Sequence, residues 1–342
     1  MTVDGIDDAA VTAWLQARTA VNPPLAYEVI AGGRSNLTYR VSDVVGRKWV
    51  LRRPPLHSVL ASAHDVGREH RLMHALQDSA VPVPPVVGLE EDPDVNGAPF
   101  YVMEFVDGHV IRSIDDAEEA LAPDVRRDTA RGLVQTLVDL HAVDIDAIGL
   151  GDLARREDYL ARQLRRWYGQ FQKGDSRDLP LVGLLHDRLV ADIPRQHGTA
   201  IVHGDYRLDN VIVDGRGAIQ AVLDWELCTL GDPLADLGLL VVYWTPPSAT
   251  QLPLIPAAGA IPGFPDSDEI VSWYAQLSGR DVTELPYYVA FGLWKLAIIL
   301  EGVYSRFSAG AYGKTDDSHR VFARLVEELL EKADEQAATV GR

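Results

Sequence analysis

Hydrophobic and polar positions along the chain change period several times, and the changes outline its elements. Val11, Trp14 and Leu15 fall on one side of a helical pattern over residues 7–20, with Asp7 or Asp8 near its start. Short alternating, β-rich runs follow at 27–30, 37–42 and 48–52, and the first two are separated by Ala31-Gly32-Gly33-Arg34-Ser35-Asn36. Helical spacing returns over 62–77 with Val66, Leu72 and Leu76 as apolar positions. The Val81-Pro82-Val83-Pro84-Pro85 break then leads to two more strand-like runs, 86–89 and 100–105. Beyond Asp107-Gly108 the chain is mainly helical. These patterns predict an α+β protein with a small antiparallel sheet region, residues 1–104, and a larger helical region, residues 105–342.

The exception in the helical part lies between residues 200 and 224. Ala200-Ile201-Val202 reads as a short buried strand ending at His203-Gly204-Asp205. Val211-Ile212-Val213, the turn Asp214-Gly215-Arg216-Gly217 and the run 219–223 read as a hairpin. Antiparallel pairing brings Asn210, at the start of one arm, beside Asp224, at the end of the other, close enough for one metal ion to bridge them. Residues 203–210 also fit H-x-D-x-x-x-x-N, the catalytic-loop pattern of kinases. Alone, that pattern arises by chance in on the order of a few per cent of chains this long. Its placement between apolar runs gives it weight. Phosphoryl transfer needs a carboxylate to take the proton of the attacking hydroxyl and hard oxygen ligands for Mg²⁺. Asp205 suits the first task, Asn210 and Asp224 the second, and Glu226 is a candidate for an indirect place in the metal shell. Asp209 and Asp214 read as turn formers, and His203 as a structural brace. Asp232-Pro233 reads as a helix N-cap with Pro at the first helical position, and Asp236 as an anchor for the catalytic loop.

Composition narrows the class. The 342 residues are 47% hydrophobic, enough for a large core, and carry a formal net charge of −18. No basic face is evident, so nucleic acid is not an expected partner; the acidity serves either a cationic substrate or solubility. One cysteine, Cys228, excludes a disulfide within a monomer and fits the cytoplasm, the expected location. The first eight residues lack the basic and apolar regions of a secretory signal. The apolar stretch 287–304, interrupted by Lys295 and Glu301, reads as too short and too charged to span a bilayer, hence as a buried core helix. The Pro-rich stretch 246–265 is long enough for a substrate lid. Tyr243, Trp244, Trp273 and Tyr304 are candidates for pocket lining, although aromatics at helical spacing are more often core.

The Gly-Gly-Arg-Ser-Asn turn, Trp-Val-Leu-Arg-Arg-Pro-Pro, Tyr-Val-Met-Glu-Phe-Val-Asp-Gly, the His-Gly-Asp segment and Leu-Asp-Trp-Glu…Gly-Asp-Pro-Leu-Ala-Asp-Leu-Gly occur here in one order. In that order they resemble aminoglycoside phosphotransferase-type small-molecule kinases, and more narrowly the kinase-like domain fused to some acyl-CoA dehydrogenases. The resemblance covers about residues 25–310 and implies a protein-kinase-like two-lobe fold. It implies that Gly33, Ser35 and Asn36 approach the nucleotide phosphates, and that Met103, the Glu104 carbonyl and the Val106 N–H line the adenine. It also puts Arg52 where kinases keep a phosphate-binding Lys, paired with Glu69. Arg binds phosphate and carboxylate bidentately, a geometry different from that of Lys. Gly204 stands where protein kinases carry Arg, which argues for a small-molecule enzyme rather than a phosphorylation-regulated one.

The expectation is an ATP- (or GTP-) and Mg²⁺-dependent phosphotransferase with an alcohol acceptor, a small-molecule substrate in the hydroxy acid or hydroxyacyl-CoA class, and no nucleic-acid or membrane partner. The alternatives are an aminoglycoside-type antibiotic kinase, or a catalytically silent nucleotide-binding protein of kinase fold.

Overall fold

In the computed structural model, residues 3–30, 36–56, 65–244, 261–308 and 319–340 are described. Contacts divide the chain into two compact units. The first comprises Met1–Gly108, Ala147–Leu150 and Gln220–Glu226; the second comprises the rest.

The first unit begins with α1 (Asp8–Gln16), whose N-cap Asp7 accepts from the Ala10 N–H and which buries Val11, Trp14 and Leu15. A five-stranded antiparallel sheet follows in the order β1-β2-β3-β5-β4. Its strands are β1 (Ala26–Val29), β2 (Leu37–Ser42), β3 (Lys48–Arg53), β4 (Val86–Glu90) and β5 (Phe100–Glu104). Helix α2 (Val66–Leu76), capped by Asp65, lies between β3 and β4 in sequence, and a single-turn α3 (Pro93–Asn96) precedes β5. One sheet face packs Tyr39, Val41, Trp49, Leu51, Phe100 and Val102 against α1. Strand alternation then sends Val50 and Arg52 to the other face, where Arg52 stands opposite Tyr101. Arg53, on the core side, is held by backbone carbonyls of Gly5, Pro54 and Asn96 and serves the fold.

The second unit is largely helical: α4 (Ile114–Ala120), α5 (Arg126–Ala142), α6 (Tyr159–Lys173), α7 (Pro180–Ala191), α8 (Leu234–Trp244), α9 (Ser267–Ser278), α10 (Leu285–Ser308) and α11 (His319–Ala337). Helix α10 runs 24 residues and is long and apolar enough to cross a membrane by length and composition. The shorter span read from the sequence is thereby corrected. Most of α10 is buried, and its two buried charges are partnered: Glu301 by Arg177, Lys295 by a carbonyl. A core helix can carry such charges because each has a specific partner. Helix α8 approaches α10 closely enough that a Cβ on Gly238 would lie 2.7 Å from the Tyr288 backbone.

Short strands complete the architecture. β6 (Ala200–Val202) pairs antiparallel with β9 (Thr229–Gly231), and β7 (Val211–Val213) and β8 (Ile219–Val222) form a two-stranded sheet. In the turn between them Asp214 accepts from the Arg216 and Ala218 N–H groups, as a turn former does. Asp224, in the helical region by sequence pattern, belongs to the first unit, because 220–226 clusters there. A boundary drawn along the sequence could not show such a discontinuous unit.

Candidate active site

The second unit builds its candidate site at the end of β6. Chain direction there is fixed by Asp236 in the first turn of α8, whose carboxylate accepts from the His203 N–H (2.6 Å) and the Gly204 N–H (2.8 Å). Burial works against charge on Asp236. Bonding to His141, the nearby His203 and the Gly204 N–H outweigh it and hold the carboxyl below its ordinary value. His141 is itself oriented by the Tyr274 hydroxyl at 2.8 Å. From α10, Lys295 Nζ donates to the Gly204 carbonyl at 2.7 Å, and burial depresses its pKa against the pull of Asp205 and Asp236. Gly204 has φ +84°, and a Cβ would meet the Leu227 carbonyl oxygen at 2.9 Å, so Gly is required where protein kinases place Arg.

These braces deliver Asp205 at the strand end, with its side chain equally defined. Tyr243 OH donates to Oδ1 at 2.7 Å, and Asn210 Nδ2 donates to Oδ2 at 3.0 Å and to the Asp205 carbonyl at 2.8 Å. The Asn210 amide spends its NH₂ on Asp205 and keeps its carbonyl oxygen as an acceptor. Arg207 Nε lies 3.4 Å from Asp205 Oδ2 and 3.0 Å from Asp209 Oδ1, and its guanidinium stacks on the Tyr243 ring. Asp209 thus departs from the turn former read in the sequence: burial pushes its carboxyl up to about 6, opposed by Arg207. His203 is fully buried, with Nδ1 3.3 Å from the Asp205 N–H. Asp232 caps α8 through the Leu234 N–H, also as read.

The first unit holds a second constellation. Arg52 Nη2 bonds Asp224 Oδ1 at 3.1 Å and lies 4.0 Å from Glu226 Oε2, while its Nε is 3.3 Å from Glu69 Oε2. Glu69 also accepts from Tyr101 OH (3.0 Å) and Asn36 Nδ2 (2.8 Å). Burial pushes the Glu69 carboxyl up to about 7, and Arg52 and Tyr101 only partly oppose it. Burial disfavours charge on Arg52, but Tyr101, Glu69 and Asp224 more than compensate and raise its pKa. One guanidinium therefore serves three carboxylates. Asp224 sits at φ 62°, a conformation uncommon for a residue with a side chain. The amide oxygen of Asn36 is buried without a partner among the described residues.

Met103 is buried in β5 opposite Val50, the Glu104 N–H bonds the Pro85 carbonyl, and the Val106 N–H has no partner among the described residues. Gly33 and Ser35, and positions 246–260 of the Pro-rich stretch, lie outside the described residues. Of the aromatic candidates, Trp244 bonds the Pro265 carbonyl, Trp273 underlies Arg127 and Arg131, and Tyr304 underlies Arg177; Tyr243 alone among them bonds Asp205.

Residues 26–269 match the family model described as the phosphotransferase enzyme family. The chain belongs to that family. This phosphotransferase is also 35% identical over 90% of its length to mouse (Mus musculus) acyl-CoA dehydrogenase family member 10. To family member 11 of Homo sapiens it is 32% identical over 87%. It spans 29% and 38% of those two relatives. Among solved structures, a Ralstonia eutropha protein provisionally described as an aminoglycoside phosphotransferase superposes with a TM-score of 0.81 at 32% identity, over 96% of this chain and 99% of that one. A macrolide 2'-phosphotransferase from Brachybacterium faecium shares the fold at a TM-score of 0.57 and 19% identity, over 94% and 98%. The phosphotransferase thus has the kinase-like fold, and its neighbours support small-molecule kinase activity.

Proposed function

We propose that this phosphotransferase moves the terminal phosphoryl group of ATP to the hydroxyl of a small acid or acyl-CoA, with Asp205 as base and Mg²⁺ as the metal. The observation that carries the reading is the Asp205 carboxylate, fixed by Tyr243 and Asn210 at the end of a braced strand. The residues fit the groups they would hold. Asp224, beside Arg52, and the Asn210 carbonyl oxygen are each hard donors of the kind Mg²⁺ prefers. The Val106 N–H and the Asn36 amide oxygen are polar groups with no described partner, suited to a purine edge and to a nucleotide or the loop around it.

When bound, Mg-ATP supplies the transferable phosphoryl group and the cation that neutralises it. Asp205 orients the acceptor hydroxyl and takes its proton as the new O–P bond forms and ADP departs. Arg52 binds phosphate oxygens and is aligned by Glu69. Gly33, Ser35 and Asn36 approach the phosphates, and Met103, Glu104 and Val106 receive the base. Asn210 and Asp224 would each supply a metal ligand.

The relatives support an acceptor class. Arg207 and Lys295 lie near Asp205, but Arg207 is shared with Asp209 and Lys295 is buried on the Gly204 carbonyl, so local charge does not choose the acceptor. The acyl-CoA dehydrogenase relatives lend support to a hydroxy acid or its CoA thioester. Phosphorus NMR with Mg-ATP and a panel of hydroxy acids, hydroxyacyl-CoAs and aminoglycosides tests the reading. A phosphate ester on a hydroxy acid or its thioester is expected. Esters on aminoglycosides alone would transfer the assignment to the antibiotic kinases.

A further inference from the structure

The Asp205 carboxylate is surrounded unevenly. Each carboxylate oxygen has two lone-pair directions. Oδ2 receives Asn210 Nδ2 at 3.0 Å and has the Arg207 guanidinium 3.4 Å alongside. Oδ1 receives Tyr243 OH at 2.7 Å and no other hydrogen bond from the described residues. Tyr243 comes from the last turn of α8, the helix whose first turn carries the loop anchor Asp236. Its ring is 7% exposed and lies beneath Arg207. A buried phenol needs a partner, and Asp205 is the one it has.

We infer that Tyr243 is a positioning residue for phosphoryl transfer: its hydroxyl locks the Asp205 carboxylate and leaves the second lone pair of Oδ1 as the place where the acceptor hydroxyl binds. The inference rests on Asp205 being the base. One helix thereby sets both the backbone and the side chain of the base, through Asp236 and Tyr243. The acceptor hydroxyl, sharing Oδ1 with the phenol, arrives beside the Tyr243 oxygen, and this makes Tyr243 a determinant of how the acceptor is placed. The backbone would not move on loss of the phenol, because Asp236 and Lys295 hold Gly204 independently.

Tyr243→Phe keeps the ring, its packing and the Arg207 stack while removing the donor. ADP formation is measured with Mg-ATP alone, where water accepts, and with 3-hydroxybutyryl-CoA as acceptor. The expected result is a kcat lower by roughly 10- to 100-fold, the loss of one hydrogen bond to a charged group, with KM for ATP and Tm unchanged. The same substitution in an Asp205→Ala background should then change nothing further, because Tyr243 acts through Asp205. A kcat within twofold of wild type, or an equal loss in both backgrounds, overturns the inference. A crystal structure of Tyr243→Phe needs no acceptor: an Asp205 side chain displaced from its wild-type rotamer supports the inference, and an unmoved one overturns it. Loss of activity in Asp205→Ala with a silent Tyr243→Phe overturns this inference alone. Retained activity in Asp205→Ala overturns the base assignment and this inference together.

Discussion

The two constellations are held in different ways. Around Asp205 the contacts are directional: Tyr243 and Asn210 each donate to one oxygen of its carboxylate, Asp236 accepts from two backbone N–H groups, and Lys295 donates to the Gly204 carbonyl. Around Arg52 the contacts are between charges: Glu69, Asp224 and Glu226 converge on one guanidinium, and burial has raised the Glu69 carboxyl. A carboxylate braced on both oxygens is oriented before substrate arrives, which suits a group that must meet a hydroxyl in one geometry. A cluster of carboxylates around one cation suits a site whose ligand brings further positive charge.

Substitutions can break this contrast from either side. The largest effect is expected from Asp205→Ala, which should lower the transfer rate by about 10²–10⁴-fold in a coupled ADP assay with nucleotide affinity preserved. Transfer at the wild-type rate would show that the Asp205 network is structural only. Gly204→Ala comes next. The new methyl meets the Leu227 carbonyl in a left-handed backbone, and thermal unfolding should report a loss of about 1–3 kcal/mol. Arg52→Lys should be milder. Lys keeps the charge but loses the fork that spans Glu69 and Asp224, so KM for ATP should rise several-fold while kcat changes less.

The smallest effect concerns pH. Glu69 titrates at about 7 in the folded protein against an ordinary 4.5, so the folded state binds the proton more tightly than the unfolded chain. Its contribution to stability is full below about 4.5 and is lost as pH rises through 7. Melting temperatures of Glu69→Gln compared with wild type should therefore show a flatter decline between about pH 5 and 7. An identical slope in both proteins would show that Glu69 does not titrate in this range.

Much of this architecture could be read from the sequence where local rules decide it. The Asp7 cap, the alternation that separates Arg52 from Arg53, the turn at Asp214 and the strand delivering Asp205 all follow from spacing and residue type. What escaped depends on residues far apart in the chain. Lys295 looked like a flaw in an apolar helix, but a lone cation in such a run is itself a sign of a buried partner, here the Gly204 carbonyl 91 positions away. Asp209 read as a turn former because its ion pair with Arg207 and its burial are set by packing. Tyr243 gave no local signal, because its bond to Asp205 spans 38 residues and rests on how α8 is seated. The membership of 220–226 in the first unit is likewise a matter of packing.

The division of labour between the two constellations is tested most directly by calorimetric titration of Mg-ATP into wild type, Asp205→Ala and Asp224→Ala. The account predicts near-wild-type affinity for Asp205→Ala and an affinity reduced by roughly 10- to 100-fold for Asp224→Ala, which loses a charged metal ligand. Weak binding in Asp205→Ala with intact binding in Asp224→Ala would contradict it.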